Sequence, residues 1–218
     1  MKNYFTKETI KRTVVVFLSV ILMGVGVQFL NRTNLGPDPF SAMNYGMSNM
    51  VGLSFGTYQA IFNGILFLFL FLRSRKLFGI GTIANMVVVG YAADFTGWLL
   101  DNAGILMPED MTTATRFLVL VPALIEFVFA AAMYMNCGVG TSPYDALPQL
   151  LHQKAQKLLK REFPFRITRM LYDGTATIIA FLVGGSAGIV TVLMVFTLGP
   201  VIDFVAGLVK KTGFFKES

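Results

Sequence analysis

Charged side chains are scarce in this chain. Only 14% of its 218 residues are Asp, Glu, Lys or Arg, against 55% hydrophobic, where soluble domains average about 25% charged. Cysteine, histidine and tryptophan occur once each, as Cys137, His152 and Trp98. One cysteine excludes an internal disulfide and leaves the redox compartment open. One histidine, lying in a charged stretch, excludes a His-rich metal site and leaves no Ser/His/Asp set. No Walker A sequence and no G-x-G-x-x-G occurs; Gly24-Val25-Gly26 is an isolated G-x-G in an apolar run. No cofactor is implied, and a membrane enzyme ranks last among the readings.

What is present is apolar and continuous. The mean hydropathy is +0.65, and the hydrophobic residues fall in runs near 13–30, 55–72, 78–100, 116–136, 167–183 and 187–209. About 17–25 residues suffice to cross hydrocarbon as a helix, so six spans are expected. The first run follows basic residues, as in a signal peptide. It is long for an h-region, and Asn31-Arg32-Thr33-Asn34 offers no small-x-small cleavage site. It reads as an uncleaved span. Trp98 suits an interfacial anchor.

The pI near 9.5 would suit nucleic acid, but the placement of the cations argues against that partner. Of 18 Lys and Arg, only Arg32 and Arg116 fall in or beside the segments assigned to the outer side. The positive-inside rule then puts both termini and the segments 73–77 and 137–166 in the cytoplasm, with the basic residues facing anionic headgroups.

The chain also repeats itself. Gly79, Ile80, Thr82, Gly90, Asp94 and Phe95 recur 109 positions on as Gly188, Ile189, Thr191, Gly199, Asp203 and Phe204. Gly36, Pro39, Phe40 and Ala42 are echoed by Gly140, Pro143, Tyr144 and Ala146, and Asn63-Gly64 by Asp173-Gly174. Three spans per half is odd, so the second half must enter from the opposite side. The expectation is an all-α polytopic membrane protein in one domain, with six transmembrane helices as two inverted three-helix repeats (13–100 and 116–209). Amphipathic helices follow the first and fourth spans. Such repeats occur in transporters with the site at the repeat interface.

Candidate site residues follow from polarity at depth. Gly36 and Gly140 end helices, while Pro39 and Pro143 suit the first turn of the next. Those next helices either lie in the interface, the preferred reading, or re-enter with N–H groups facing the bundle. Asp94 and Asp203 are either a symmetric pair in two half-pathways or carboxylates that accept backbone N–H groups and pin Gly-x-x-x-Asp helices. Glu126, one turn after Pro122, has no repeat partner and must face the bundle interior or water. It suits proton coupling or a neutral hydrogen-bonded role. Asp173 has an i,i+4 partner in Arg169; Asn63 has none and is read as bundle-facing.

Leu35-Gly36-Pro37-Asp38-Pro39, Gly52-Leu53-Ser54-Phe55-Gly56-Thr57 and the run from Gly79 through Gly90 to Asp94 resemble the YczE/YyaS/YitT-type bacterial integral membrane proteins. The resemblance covers most of the first half and implies a small polytopic fold without naming a substrate. Where such proteins often carry Gly-Pro in both repeats, this chain has Gly140-Thr141. The leading expectation is a small secondary transporter or permease for an unidentified small molecule or ion, bound between the halves near Glu126, Asn63 and the Gly-x-x-Pro segments at 36–39 and 140–143. The alternative is a binding subunit or regulator that meets a partner through the basic loop 152–166. A homodimer or a partner membrane protein is the companion expected beside lipid.

Overall fold

A computed structural model describes residues 7–215. The ends of the basic N-terminal and C-terminal segments therefore lie outside the described residues. Eight α-helices follow in order: α1 (Lys7–Arg32), α2 (Pro39–Val51), α3 (Phe55–Phe71), α4 (Ile80–Ala103), α5 (Thr113–Cys137), α6 (Pro143–Leu159), α7 (Phe165–Leu182) and α8 (Ile189–Lys211). No strand occurs among the described residues.

Four of these helices, α1, α4, α5 and α8, are long and apolar enough to cross a bilayer. The pair α2 and α3, bent by 106° at a short break, makes a fifth span if counted together. Length and composition thus mark four or five spans rather than six. The expected fifth span forms α7, but its 18 residues carry Arg166, Arg169 and Asp173. Side chains pointing out of the bundle are apolar: Leu118 is 75% exposed and Leu171 69%. Hydrocarbon, not water, is the solvent that suits such a surface.

Local signals place the break between α2 and α3. Gly52 takes φ 69°, and its N–H returns to Asn49 and Ser48 to end α2. Ser54 then caps α3 by accepting the Thr57 N–H at 3.3 Å. Against the preferred reading, α2 does not lie on the surface. Ser41, Ala42, Met43, Asn44, Gly46 and Ser48 are buried, and the helix packs on α3, α7 and α8. Its small residues explain this: Gly46 lies where a Cβ would come within 2.7 Å of the Gly185 backbone. Helix α6 begins buried at Pro143 and Tyr144 and runs out to exposed Lys154, Lys157 and Lys160.

The helices pack in matched sets. α1 lies on α4 and α5 on α8; α3 lies on α4 and α7 on α8; α2 meets α7 and α6 meets α3. α1 and α5 also pack against each other. Backbone bonds tie the start of α4 to the link before α6, and the start of α8 to the link before α2. Gly81 N–H donates to Val139 O at 2.9 Å, and Val190 N–H donates to Leu35 O at 2.9 Å. The Thr82 hydroxyl donates to Thr141 O at 2.9 Å and the Thr191 hydroxyl to Pro37 O at 2.7 Å. The glycines of the repeated motif exist for this approach. A Cβ on Gly79 would sit 2.3 Å from Val139 O, and one on Gly188 2.2 Å from Leu35 O.

Gly188→Ala should therefore lower stability by roughly 1–3 kcal/mol, the usual cost of overpacking. Gly64→Ala, in a helix with open space around it, should be neutral or gain up to about 1 kcal/mol. Thermal melts in detergent compare the two; equal melting temperatures would remove the proposed role of the glycine contacts.

Candidate functional site

One cavity of about 530 Å³ lies between the helices. The first turns of α2 and α6 meet at it. Phe40 and Tyr144, the second residue of each helix, stack with centroids 4.0 Å apart. Both helices start on proline, whose missing N–H is no loss there. Asp38 caps α2, its Oδ1 accepting the Ser41 N–H at 3.2 Å. Ser142 caps α6, its Oγ accepting the Asp145 N–H at 3.1 Å. Apolar walls come from α1, α5 and α8 through Val27, Phe127 and Leu198. The cavity extends to Lys76, Gly138 and Arg166, on the face of the basic segments.

A charged network forms one side. Arg169 donates from Nε to Asp173 Oδ2 at 2.7 Å and from a terminal nitrogen to Asp145 Oδ1 at 2.6 Å. The i,i+4 pair expected from the sequence is thus present, extended to a second carboxylate. Tyr144 donates its hydroxyl to Asp173 Oδ1 at 2.9 Å, and the Ser142 hydroxyl reaches Asp145 Oδ2 at 2.6 Å. The polar atoms of this network are therefore satisfied within it. Asp38 differs: it is 8% exposed, and its Oδ2 has no hydrogen-bond partner. Gln59 of α3 also lines the cavity, 2% exposed, with Oε1 unpartnered.

Of the residues singled out by sequence, Gly140 and Asp203 line the cavity. Asp173 braces it through Tyr144 and Arg169, and Pro39 and Pro143 open the two helices that meet there. Gly36 acts one step away: at φ 98°, it lies where a Cβ would come within 2.5 Å of Gly188 N. Glu126, Asn63 and Asp94 do not line it. Glu126 faces α1, where Gly26 leaves it room, and both its oxygens are buried without partners. Asn63 is fully buried on α3, its side-chain amide also without a partner.

Asp94 accepts the Gly56 N–H at 2.9 Å and so holds the first turn of α3 against α4. Gly90 permits the approach: a Cβ there would lie 2.6 Å from the Gly56 Cα. The pinning role considered for this carboxylate is what the geometry displays. Asp203, its counterpart, is exposed at the cavity edge. Sequence reasoning passed over Asp38, Gln59 and Tyr144. Asp38 stands directly before a proline-started helix, and that capping position was the available signal.

Asp94→Ala should cost about 1 kcal/mol of stability, the usual worth of a cap, and Asp94→Asn a smaller part of it. Asp203→Ala, with no such bond, should leave the melting temperature unchanged. Thermal unfolding of the three variants in detergent decides this, and equal losses at Asp94 and Asp203 would refute the capping assignment.

Comparison with known proteins agrees with the membrane architecture. The chain is 24% identical over 199 residues to the uncharacterized membrane protein YczE of Bacillus subtilis, covering 91% of this chain and 86% of that one. An uncharacterized protein of Haemophilus influenzae is 21% identical over 198 residues, covering 90% and 84%. The uncharacterized protein YyaS of Bacillus subtilis is 21% identical over 178 residues, covering 82% and 84%. No solved structure matches the chain significantly. A family model described as a family of unknown function, DUF6198, matches residues 10–207, and the chain, a multi-pass membrane protein of the YczE and YyaS type, belongs to that family.

Proposed function

We propose that this protein is a small secondary transporter or permease, built as two inverted repeats, with its ligand bound where α2 and α6 meet. The observation that carries the reading is the 530 Å³ cavity at the touching N-terminal turns of those helices. Broken helices aimed at a common point are how transporters place a polar site inside a bilayer. The reciprocal bonds of Gly81 and Val190, one from each half, support the inverted repeat. With six crossings, the short α3 and α7 span beside their buried partners, and both termini lie in the cytoplasm of a bacterial cell. The role is non-enzymatic.

The two halves also differ in a way that suits alternating access. In the first, α3 and α4 touch at Gly56, Gly90 and Asp94. In the second, Gly199, the counterpart of Gly90, has nothing within 4 Å of a Cβ position. Arg166 stands where the first half has Gly56, and Asp203 is exposed. One gate is closed and its counterpart is open towards the basic face. Closing the second gate would bring the first turn of α7 towards Asp203.

Reconstitution into liposomes tests this directly. Purified protein alone should move a solute chosen by its ability to raise the melting temperature. Oxidising an Arg166→Cys/Asp203→Cys pair in a Cys137→Ser background should stop the flux, and reduction should restore it. A cross-linked protein that still transports would overturn the gate. Absence of flux for every stabilising solute would favour the partner reading, through the exposed Lys154, Lys157, Lys160 and Arg161.

A further inference from the structure

We propose that the cavity selects an organic cation with N–H donors, a primary ammonium or a guanidinium group, held by Asp38 and Gln59. The inference rests on the reading of the cavity as a ligand site. Its own support is charge and hydrogen-bond supply. Asp145 and Asp173 share one cation, Arg169, and Asp38 adds a third carboxylate. With every group ionised, the four side chains sum to two negative charges. Each of the two helix N-termini offsets about half a charge, so roughly one negative charge stays unmatched, which a monovalent cation would neutralise.

The unpartnered atoms point the same way. Asp38 Oδ2 and Gln59 Oε1 are both acceptors, on buried residues of the cavity lining. A buried acceptor without a donor costs about 1–3 kcal/mol, so a ligand bearing N–H groups gains what those atoms lack. An anion would meet three carboxylates and find Arg169 already engaged by two of them. The walls suit an organic cation rather than a bare ion. Phe40, Tyr144 and Phe127 offer ring surface, and the volume falls within the range of small-molecule pockets. Among the described residues, no three His, Cys, Asp or Glu side chains are grouped to hold a metal ion. Lys76 and Arg166 lie at the rim, exposed to solvent, where their fields are screened.

The test is a thermal-shift titration of the full chain in detergent with five probes: butylammonium, 1,4-diaminobutane, tetramethylammonium, succinate and sorbitol. The two amines should raise the melting temperature, and tetramethylammonium, a cation without N–H, should do so less. Asp38→Asn keeps a capping side chain on α2 but removes the charge. It should weaken the amine Kd about tenfold or more, while Glu109→Gln, exposed in the link before α5 and outside the cavity lining, should change it less than about threefold. Protection by succinate or sorbitol and not by the amines would overturn the cation assignment and leave the ligand-site reading standing. Amine binding unchanged in Asp38→Asn would remove Asp38 from the site. Protection by none of the five would overturn the inference, and flux of some other solute in liposomes would then show whether the transporter reading survives it.

Discussion

A bilayer offers no water to a backbone group that leaves a helix, and that constraint governs this fold. Two links, 33–38 and 138–142, break the helical path inside the bundle. Each is tolerated because the opposite half supplies its partners. Leu35 and Pro37 give their carbonyls to Val190 and Thr191, and Val139 and Thr141 give theirs to Gly81 and Thr82. Irregular backbone at membrane depth survives only when buried in protein in this way. Without the exchange, α2 and α6 could not start in the interior, and no cavity would lie between their first turns.

The same constraint accounts for a departure from symmetry. Pro37 has no N–H, whereas its counterpart Thr141 has one to place. Thr141 donates to Leu77 O at 2.9 Å, in the turn that leads from α3 to α4. The second link therefore has a backbone N–H bond that Pro37 denies the first. Arg32 and Arg116 obey a related rule. Arg32 reaches Gly97 O at 3.1 Å and Asp101 at 2.5 Å, and Arg116 reaches Thr33 O at 2.7 Å and Pro108 O at 2.8 Å. Both cations on the face poor in positive charge are bonded to the protein itself, so they stitch loops there.

Much of the fold was legible because apolar runs, prolines and glycines report locally. The run at 55–72 became α3 with nearly the same bounds. The burial of α2 was not legible. Its pattern at Phe40, Met43 and Met47 fits an interfacial helix as well as an interior one, and only Gly46 against Gly185 distinguishes the two. At the site, the sequence marked residues by charge at depth. That criterion found Asp173 and Asp203 but favoured Glu126, which lies between α1 and α5, away from the cavity. Asp38 was hidden because a polar residue before Pro39 reads first as a cap. It is one, through Oδ1; what the sequence cannot show is that Oδ2 is left without a partner.

The repeat also explains why equal residues hold unequal places. Gly90 and Gly199 are the same residue in the same motif, as are Asp94 and Asp203. Yet a Cβ on Gly90 would meet α3, while one on Gly199 would meet nothing. One pair packs and the other does not. Gly199 has no packing in this arrangement that requires glycine; its place in the motif makes sense in an arrangement where α7 approaches α8 as α3 approaches α4. On the transporter reading proposed above, a glycine whose approach is unused here would serve a second state, and exchanging which half is closed would need no contact that the first half does not already make.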